Sequence, residues 1–123
     1  MNGSKHYFDV ILIENDRATA DLYYRLLNET YHVIICENEN QVMENVRANQ
    51  VKAIVIEPVL RTGMSWNFLS NILKISNENI KIPVIVCSSL DSRKQGLEMG
   101  ATEYLVKPVL PSTLLKVLQR EIG

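Results

Sequence analysis

Residues able to do chemistry recur at fixed places in this 123-residue chain, each directly after a short apolar run. Val10-Ile11-Leu12-Ile13 is followed by Glu14, Asn15 and Asp16, and Ala53-Ile54-Val55-Ile56 by Glu57. Val84-Ile85-Val86-Cys87 is followed by Ser88 and Ser89, and Tyr104-Leu105-Val106 by Lys107 and Pro108. Brought together, Glu14, Asp16 and Glu57 make an anionic pocket suited to a hard cation such as Mg²⁺. Ser88 can hydrogen-bond an anion, and Lys107 can neutralise a carboxylate or a phosphate. Taken singly, each is as readily a solvated loop residue. Repetition at successive run ends is what points to a site.

The apolar runs, with Val33-Ile34-Ile35-Cys36 as a fifth, lack polar alternation and are rich in β-branched residues. Such runs are strands buried on both faces, the mark of a parallel sheet covered by helices. Between them lie stretches of helical period. Residues 16–29 carry Ala18, Leu22, Tyr23, Leu26 and Leu27 behind an Asp16 N-cap. Residues 40–49 present Val42, Met43 and Val46, and residues 65–76 present Phe68, Leu69, Ile72 and Leu73 behind Ser65. Residues 91–99 predict a short helix opened by Asp91, with Gly96 inside it at a cost of about 1 kcal/mol relative to Ala. Gly100 stands where a left-handed C-terminal cap belongs, and Pro111 opens a last helix over 111–121. The pattern is β-α five times. Right-handed crossovers make that a doubly wound α/β sheet, for which the flavodoxin-like strand order 2-1-3-4-5 is one of the two common solutions and the one expected here. In such sheets chemistry gathers outside the carboxyl ends of the strands, here between the first and third, where the residues named above fall.

Composition narrows the function further. Thirteen Lys and Arg against 14 Asp and Glu leave a net charge of −1, with no basic excess to bind nucleic acid. No apolar run approaches the ~20 residues needed to span a bilayer, and the start of the chain lacks a signal-peptide core, so a cytoplasmic location is expected. Cys36 and Cys87 have no metal-ligand spacing. In the expected strand order they lie three strand spacings apart, about 14 Å, too far for a disulfide. Two free buried thiols are expected. Trp66 is expected to be a packing anchor, and only one of the adjacent Tyr23 and Tyr24 can face the core.

The arrangement resembles the receiver domain of two-component response regulators across residues 9–122, with residues 1–8 as an N-terminal extension. VILIEND is similar to the family's first strand and its acidic pair, with Glu14 and Asn15 on the pair. AIVIEPVLRTGMSW places Glu57 on the phosphoacceptor position. PVIVCSS places Ser88 on a switch hydroxyl. GATEYLVKP, the most specific segment, matches a switch aromatic (Tyr104) and a Lys-Pro pair (Lys107 and Pro108) whose peptide bond the resemblance implies is cis. Tyr104 can equally be an edge aromatic packed over the last helix.

The departures from that pattern decide the expected function. The acceptor position carries Glu rather than Asp. The extra methylene pushes the carboxylate toward the metal and lysine positions, away from the geometry that in-line phosphoryl transfer demands. Asn15 replaces an acid, so Mg²⁺ binding is expected to be absent or weak, at Glu14 and Glu57, with Asp16 able to compensate only through water and better placed as a helix cap. Arg61 stands where a Pro is usual; it is either exposed or paired with Glu14 or Glu57. Ser88 to Gly100 is about one helical turn shorter than usual.

The expectation is a non-enzymatic pseudo-receiver, with Glu57 paired to Lys107, no catalytic residues and no cofactor. It would act by binding proteins: a histidine kinase, an output domain, another signalling protein, or a second copy through its fourth helix, fifth strand and fifth helix. No nucleic acid or membrane partner is expected. The alternative is a phosphorelay receiver that still takes phosphate. A metal-dependent phosphatase is disfavoured by the absence of an Asp-x-Asp after a strand, a P-loop or a nucleophile elbow.

Overall fold

A computed structural model describes residues 7–123; residues 1–6, most of the expected N-terminal extension and including His6, lie outside the described residues. Five strands form a parallel sheet: β1 (Asp9–Ile13), β2 (His32–Ile35), β3 (Val51–Ile56), β6 (Val84–Ser88) and β7 (Glu103–Val106). Their order is β2-β1-β3-β6-β7. Counting sheet strands only, this is the expected 2-1-3-4-5. Two further strands were not expected. β4 (Val59–Leu60) and β5 (Gly63–Met64) pair antiparallel, as a small hairpin in the connection after β3. Gly63, at φ 109°, supplies the left-handed backbone that closes it.

Alternation along the strands sorts the core into two layers. Val10, Leu12, Ala53, Val55, Ile85 and Cys87 face α1 (Arg17–Leu27) and α5 (Pro111–Ile122), meeting Tyr23, Leu27, Leu114 and Leu118. Ile11, Ile13, Ile54, Ile56, Val84 and Val86 face the other way, toward Val42 of α2 (Glu39–Ala48) and Leu69, Ile72 and Leu73 of α3 (Trp66–Glu78). Central strands β1, β3 and β6 are buried almost throughout, as their unbroken apolar sequence requires. Edge strand β2 is not: His32 and Ile35 are exposed, because no strand flanks it on the outer side.

Local chemistry fixes the helix starts. Asp16, Asn38 and Ser65 cap α1, α2 and α3, accepting from the backbone N–H of Thr19, Gln41 and Phe68. The expectation for Asp91 fails. Helix α4 (Arg93–Met99) begins two residues later, with Ser92 at the cap and no side-chain cap bond. The Asp91 carboxylate is engaged instead by Arg93, whose Nε and Nη2 donate to its two oxygens at 2.9 and 2.8 Å. Gly100, at φ 120°, ends α4 as expected. Tyr23 is buried and Tyr24 half-exposed, while Trp66 packs against the α2–α3 layer with Met64 and Phe68. Cys36 and Cys87 are free and buried. Burial pushes the Cys36 thiol up to about 11, with Asn45 as a weaker opposing donor.

Past the end of α3, Ile80 and Lys81 adopt φ of 63° and 48°. A β-branched residue in left-handed backbone is strained by about 1–2 kcal/mol. Ile80 gains nothing in return from burial, since it is 98% exposed. Ile80→Asn is expected to raise stability by about 1 kcal/mol, read as an upward shift of the urea midpoint at unchanged slope; an unmoved midpoint contradicts the left-handed turn.

Candidate functional site

Sheet register brings the expected residues together. Ile13, Ile56, Val86 and Tyr104 lie side by side across β1, β3, β6 and β7. Backbone bonds carry the ladder past the strand ends, with Glu57 N–H donating to Ile13 O and Lys107 N–H to Ser88 O. Glu14, Glu57, Ser88 and Lys107 therefore emerge on one rim. The Lys107–Pro108 bond is cis, as the resemblance implied.

At the centre, the Lys107 ammonium sits between two carboxylates. Its Nζ donates to Glu14 Oε1 at 2.5 Å and to Glu57 Oε1 at 3.3 Å. The expected pairing with Glu57 is present, but the shorter contact is with Glu14, for which Arg61 had been the candidate partner. The Glu14 and Glu57 side chains are only 3% and 4% exposed, and that of Lys107 18%. Burial by itself lowers the affinity of Lys107 for its proton. The hydrogen bond and charge of Glu14, and then those of Glu57, outweigh it and raise the lysine pKa.

The carboxylate oxygens have further donors. Glu57 Oε1 accepts from the Ser89 N–H at 2.8 Å and Glu57 Oε2 from the Val59 N–H at 3.2 Å. Glu14 Oε2 accepts from the Asp16 N–H at 3.0 Å. Glu57 thus sits in a cradle of three donors from three segments: two backbone amides and an ammonium. Such a cradle is an anion site, and the chain's own side chain fills it.

The remaining expected residues divide. Asp16 does not join the pocket; it accepts from the Thr19 N–H and hydroxyl, which hold its carboxyl below the usual range. Asn15 turns outward, and its Nδ2 donates to Val59 O at 3.0 Å, clasping the hairpin to the β1–α1 turn. Ser88 is fully buried, and its Oγ accepts from the Leu90 N–H of its own turn. Arg61 is exposed and makes no ion pair with Glu14 or Glu57. Tyr104 is buried against α4 rather than over the last helix; its hydroxyl donates to Leu90 O at 2.6 Å and accepts from the Ser92 N–H. A cavity of about 630 Å³ opens on the β1–β2 side of the rim, lined in part by Glu14, Asn15, Arg17, Glu57 and Leu60. Neither the backbone donors of Ser89 and Val59 nor the Asn15 clasp carries a signal in residue type, so the sequence could not give them.

Comparisons with known proteins bear on the family and the fold. The model of the family described as "Response regulator receiver domain" matches residues 10–119. The chain belongs to that family. Among curated relatives, the transcriptional regulatory protein HprR of Escherichia coli is 27% identical over 92% of this chain, and the two-component response regulator-like protein PRR1 of Oryza sativa 30% over 88%. This receiver domain spans 51% of the first and 22% of the second. A solved CheY-like response regulator receiver domain protein from Methanospirillum hungatei superposes with a TM-score of 0.78 at 19% identity, covering 95% of this chain and 94% of that one. That similarity supports the flavodoxin-like fold. No helix among the described residues is long and apolar enough to cross a membrane.

Removing one partner from a buried ion cluster leaves uncompensated charge, which costs about 3–5 kcal/mol. Lys107→Met is expected to lose that much in denaturant unfolding. The pH dependence has a fixed sign. Because the folded-state pKa of Lys107 is raised, its contribution is complete below the ordinary lysine value of 10.5 and is lost as pH climbs through the raised value. The part of the alkaline stability loss that Lys107 causes should vanish in Lys107→Met. An alkaline limb of unchanged steepness contradicts the pairing.

Proposed function

We propose that this receiver domain is a pseudo-receiver: it serves signal transduction by contact with other proteins, and does not take a phosphoryl group on Glu57. The observation that carries this reading is the occupied cradle. Phosphoryl transfer needs the acceptor oxygen free to attack in line, and donors free to receive the transferred oxygens. Here both Glu57 oxygens are already bound, and the donors that would meet an incoming anion are spent on the carboxylate itself.

The same residues do not fit Mg²⁺ as a resident cofactor. A hard cation needs carboxylate and carbonyl oxygens turned toward it. Glu14 Oε1 and Glu57 Oε1 face the Lys107 ammonium, their Oε2 atoms accept from the Asp16 and Val59 N–H groups, and the Val59 carbonyl faces an amide donor of Asn15. Among the described residues, no three acidic, histidine or cysteine side chains converge as a metal site. Bound cation would have to displace an ammonium that already supplies positive charge to both acids.

In this reading Glu57 is a partial stand-in for a phosphorylated residue, since it carries one negative charge where a phosphorylated side chain carries about two. It holds the end of β6 through Ser89 in one arrangement at all times. The output is a constitutive or differently gated surface, presented by α4, β7 and α5, for a histidine kinase, an output domain, another signalling protein or a second copy. A catalytic role finds no support among these groups, because the acids and the lysine are engaged with one another.

Incubation with acetyl phosphate and Mg²⁺, followed by intact-mass measurement, is expected to leave the mass unchanged. Beryllofluoride with Mg²⁺ is expected to leave the Val59 and Ser89 amide resonances in place. A phosphoryl adduct on Glu57 replaces this reading with that of a working phosphorelay receiver.

A further inference from the structure

Gly96 is buried in the middle of α4, a helix of seven residues with no side-chain cap. Glycine is among the poorest residues for such a position. The helix nevertheless has it, and the reason lies on β7. A β-carbon built at position 96 falls 2.5 Å from Cδ2 and 2.8 Å from Cε2 of Tyr104, far inside the ~3.5 Å at which carbon atoms pack. Those atoms belong to a rigid ring buried in the core, not to the far end of a flexible side chain. With a β-carbon at position 96, the ring or the helix must shift from its place.

We propose that Gly96 is a positioning residue: by lacking a side chain it seats the Tyr104 ring, and the seated ring pins the β6–α4 loop. The hydroxyl reaches that loop at two points, donating to Leu90 O and accepting from the N–H of Ser92, the residue that opens α4. The other end of the same loop is held at the acidic cluster, where the Ser89 N–H donates to Glu57. Five residues, Ser88 to Ser92, are thus fixed between the carboxylate of β3 and the phenol of β7. Leu90 in that loop and Leu97 on α4 remain exposed on the outside. An aromatic bracket of this kind makes the placement of the α4 surface depend on the seat. The steric contact stands whether or not Glu57 accepts phosphate; only its use in signalling rests on the reading above.

The test exploits a sign. A helix-interior glycine with no further role gains stability on conversion to alanine. The seat demands the opposite. Gly96→Ala is expected to lower the urea midpoint and to shift the amide resonances of Leu90 and Ser92 together with the Tyr104 ring signals. In a Tyr104→Ala background, where no ring contends for the space, adding Gly96→Ala is expected to raise the midpoint. In the unsubstituted protein, nuclear Overhauser contacts should connect the Gly96 α-protons to the Tyr104 ring, a measurement that needs no variant to fold. A higher midpoint for Gly96→Ala alone, unmoved Leu90 and Ser92 resonances, or absent ring contacts overturns the proposal. A phosphoryl adduct on Glu57 would leave all three outcomes as stated, so failure of the seat and failure of the pseudo-receiver reading are distinguishable.

Discussion

One ammonium shared by two buried carboxylates organises the rim of this domain. Lys107 lies between Glu14 and Glu57, and each acid comes from a different central strand. Buried acids are costly to hold without compensation, and desolvation can exceed what a single ion pair returns. The chain meets that cost with a cluster in which every carboxylate oxygen also has, or shares, a backbone or ammonium donor. The arrangement fixes three loops at once: the β1–α1 turn through Glu14, the hairpin through Val59, and the β6–α4 loop through Ser89. A site that satisfies itself in this way is held from three sides.

Glu57 is the most heavily bonded of these groups. A carboxylate one bond further from the backbone, about 1.5 Å, reaches the amides of Ser89 and Val59. Asn15 completes the change, because an amide donor on the Val59 carbonyl supplies the hairpin with a neutral clasp. Glu57 accepts from the Val59 N–H and Asn15 donates to the Val59 carbonyl, so both hold the same residue of the hairpin. The fold is unaltered by them, in keeping with the rule that function resides in the site and not in the architecture.

Much of the architecture was legible in the residues. Unbroken apolar runs such as Ala53–Ile56 and Val84–Cys87 require burial on both faces, and only a parallel sheet under two helical layers provides that. Asp16 and Ser65 announced their helices because their side chains satisfy a backbone N–H locally, over three residues. Asp91 misled for the same reason in reverse: Arg93, two residues on, offers its carboxylate a charged fork, which wins over capping. The hairpin of Val59–Leu60 with Gly63–Met64 was hidden because two-residue strands leave no periodicity to read.

The acidic cluster was legible in membership and not in pairing. Residue type tells that Glu14, Glu57 and Lys107 stand at strand ends, but the ranking of contacts depends on side-chain reach across the sheet. Backbone donors are invisible to composition altogether. Gly96 is the intermediate case. It stood out in sequence as a poor helix former in a helix, and only the position of the Tyr104 ring explains it.

What occupies the space between Glu14 and Glu57 decides the function proposed for this domain. A crystal structure of the chain grown with millimolar Mg²⁺ and beryllofluoride tests it directly. The expected density shows the Lys107 ammonium bonded to both acids, Glu57 on the amides of Ser89 and Val59, and no ion. A divalent cation coordinated by Glu14 and Glu57, with Lys107 displaced, would contradict it.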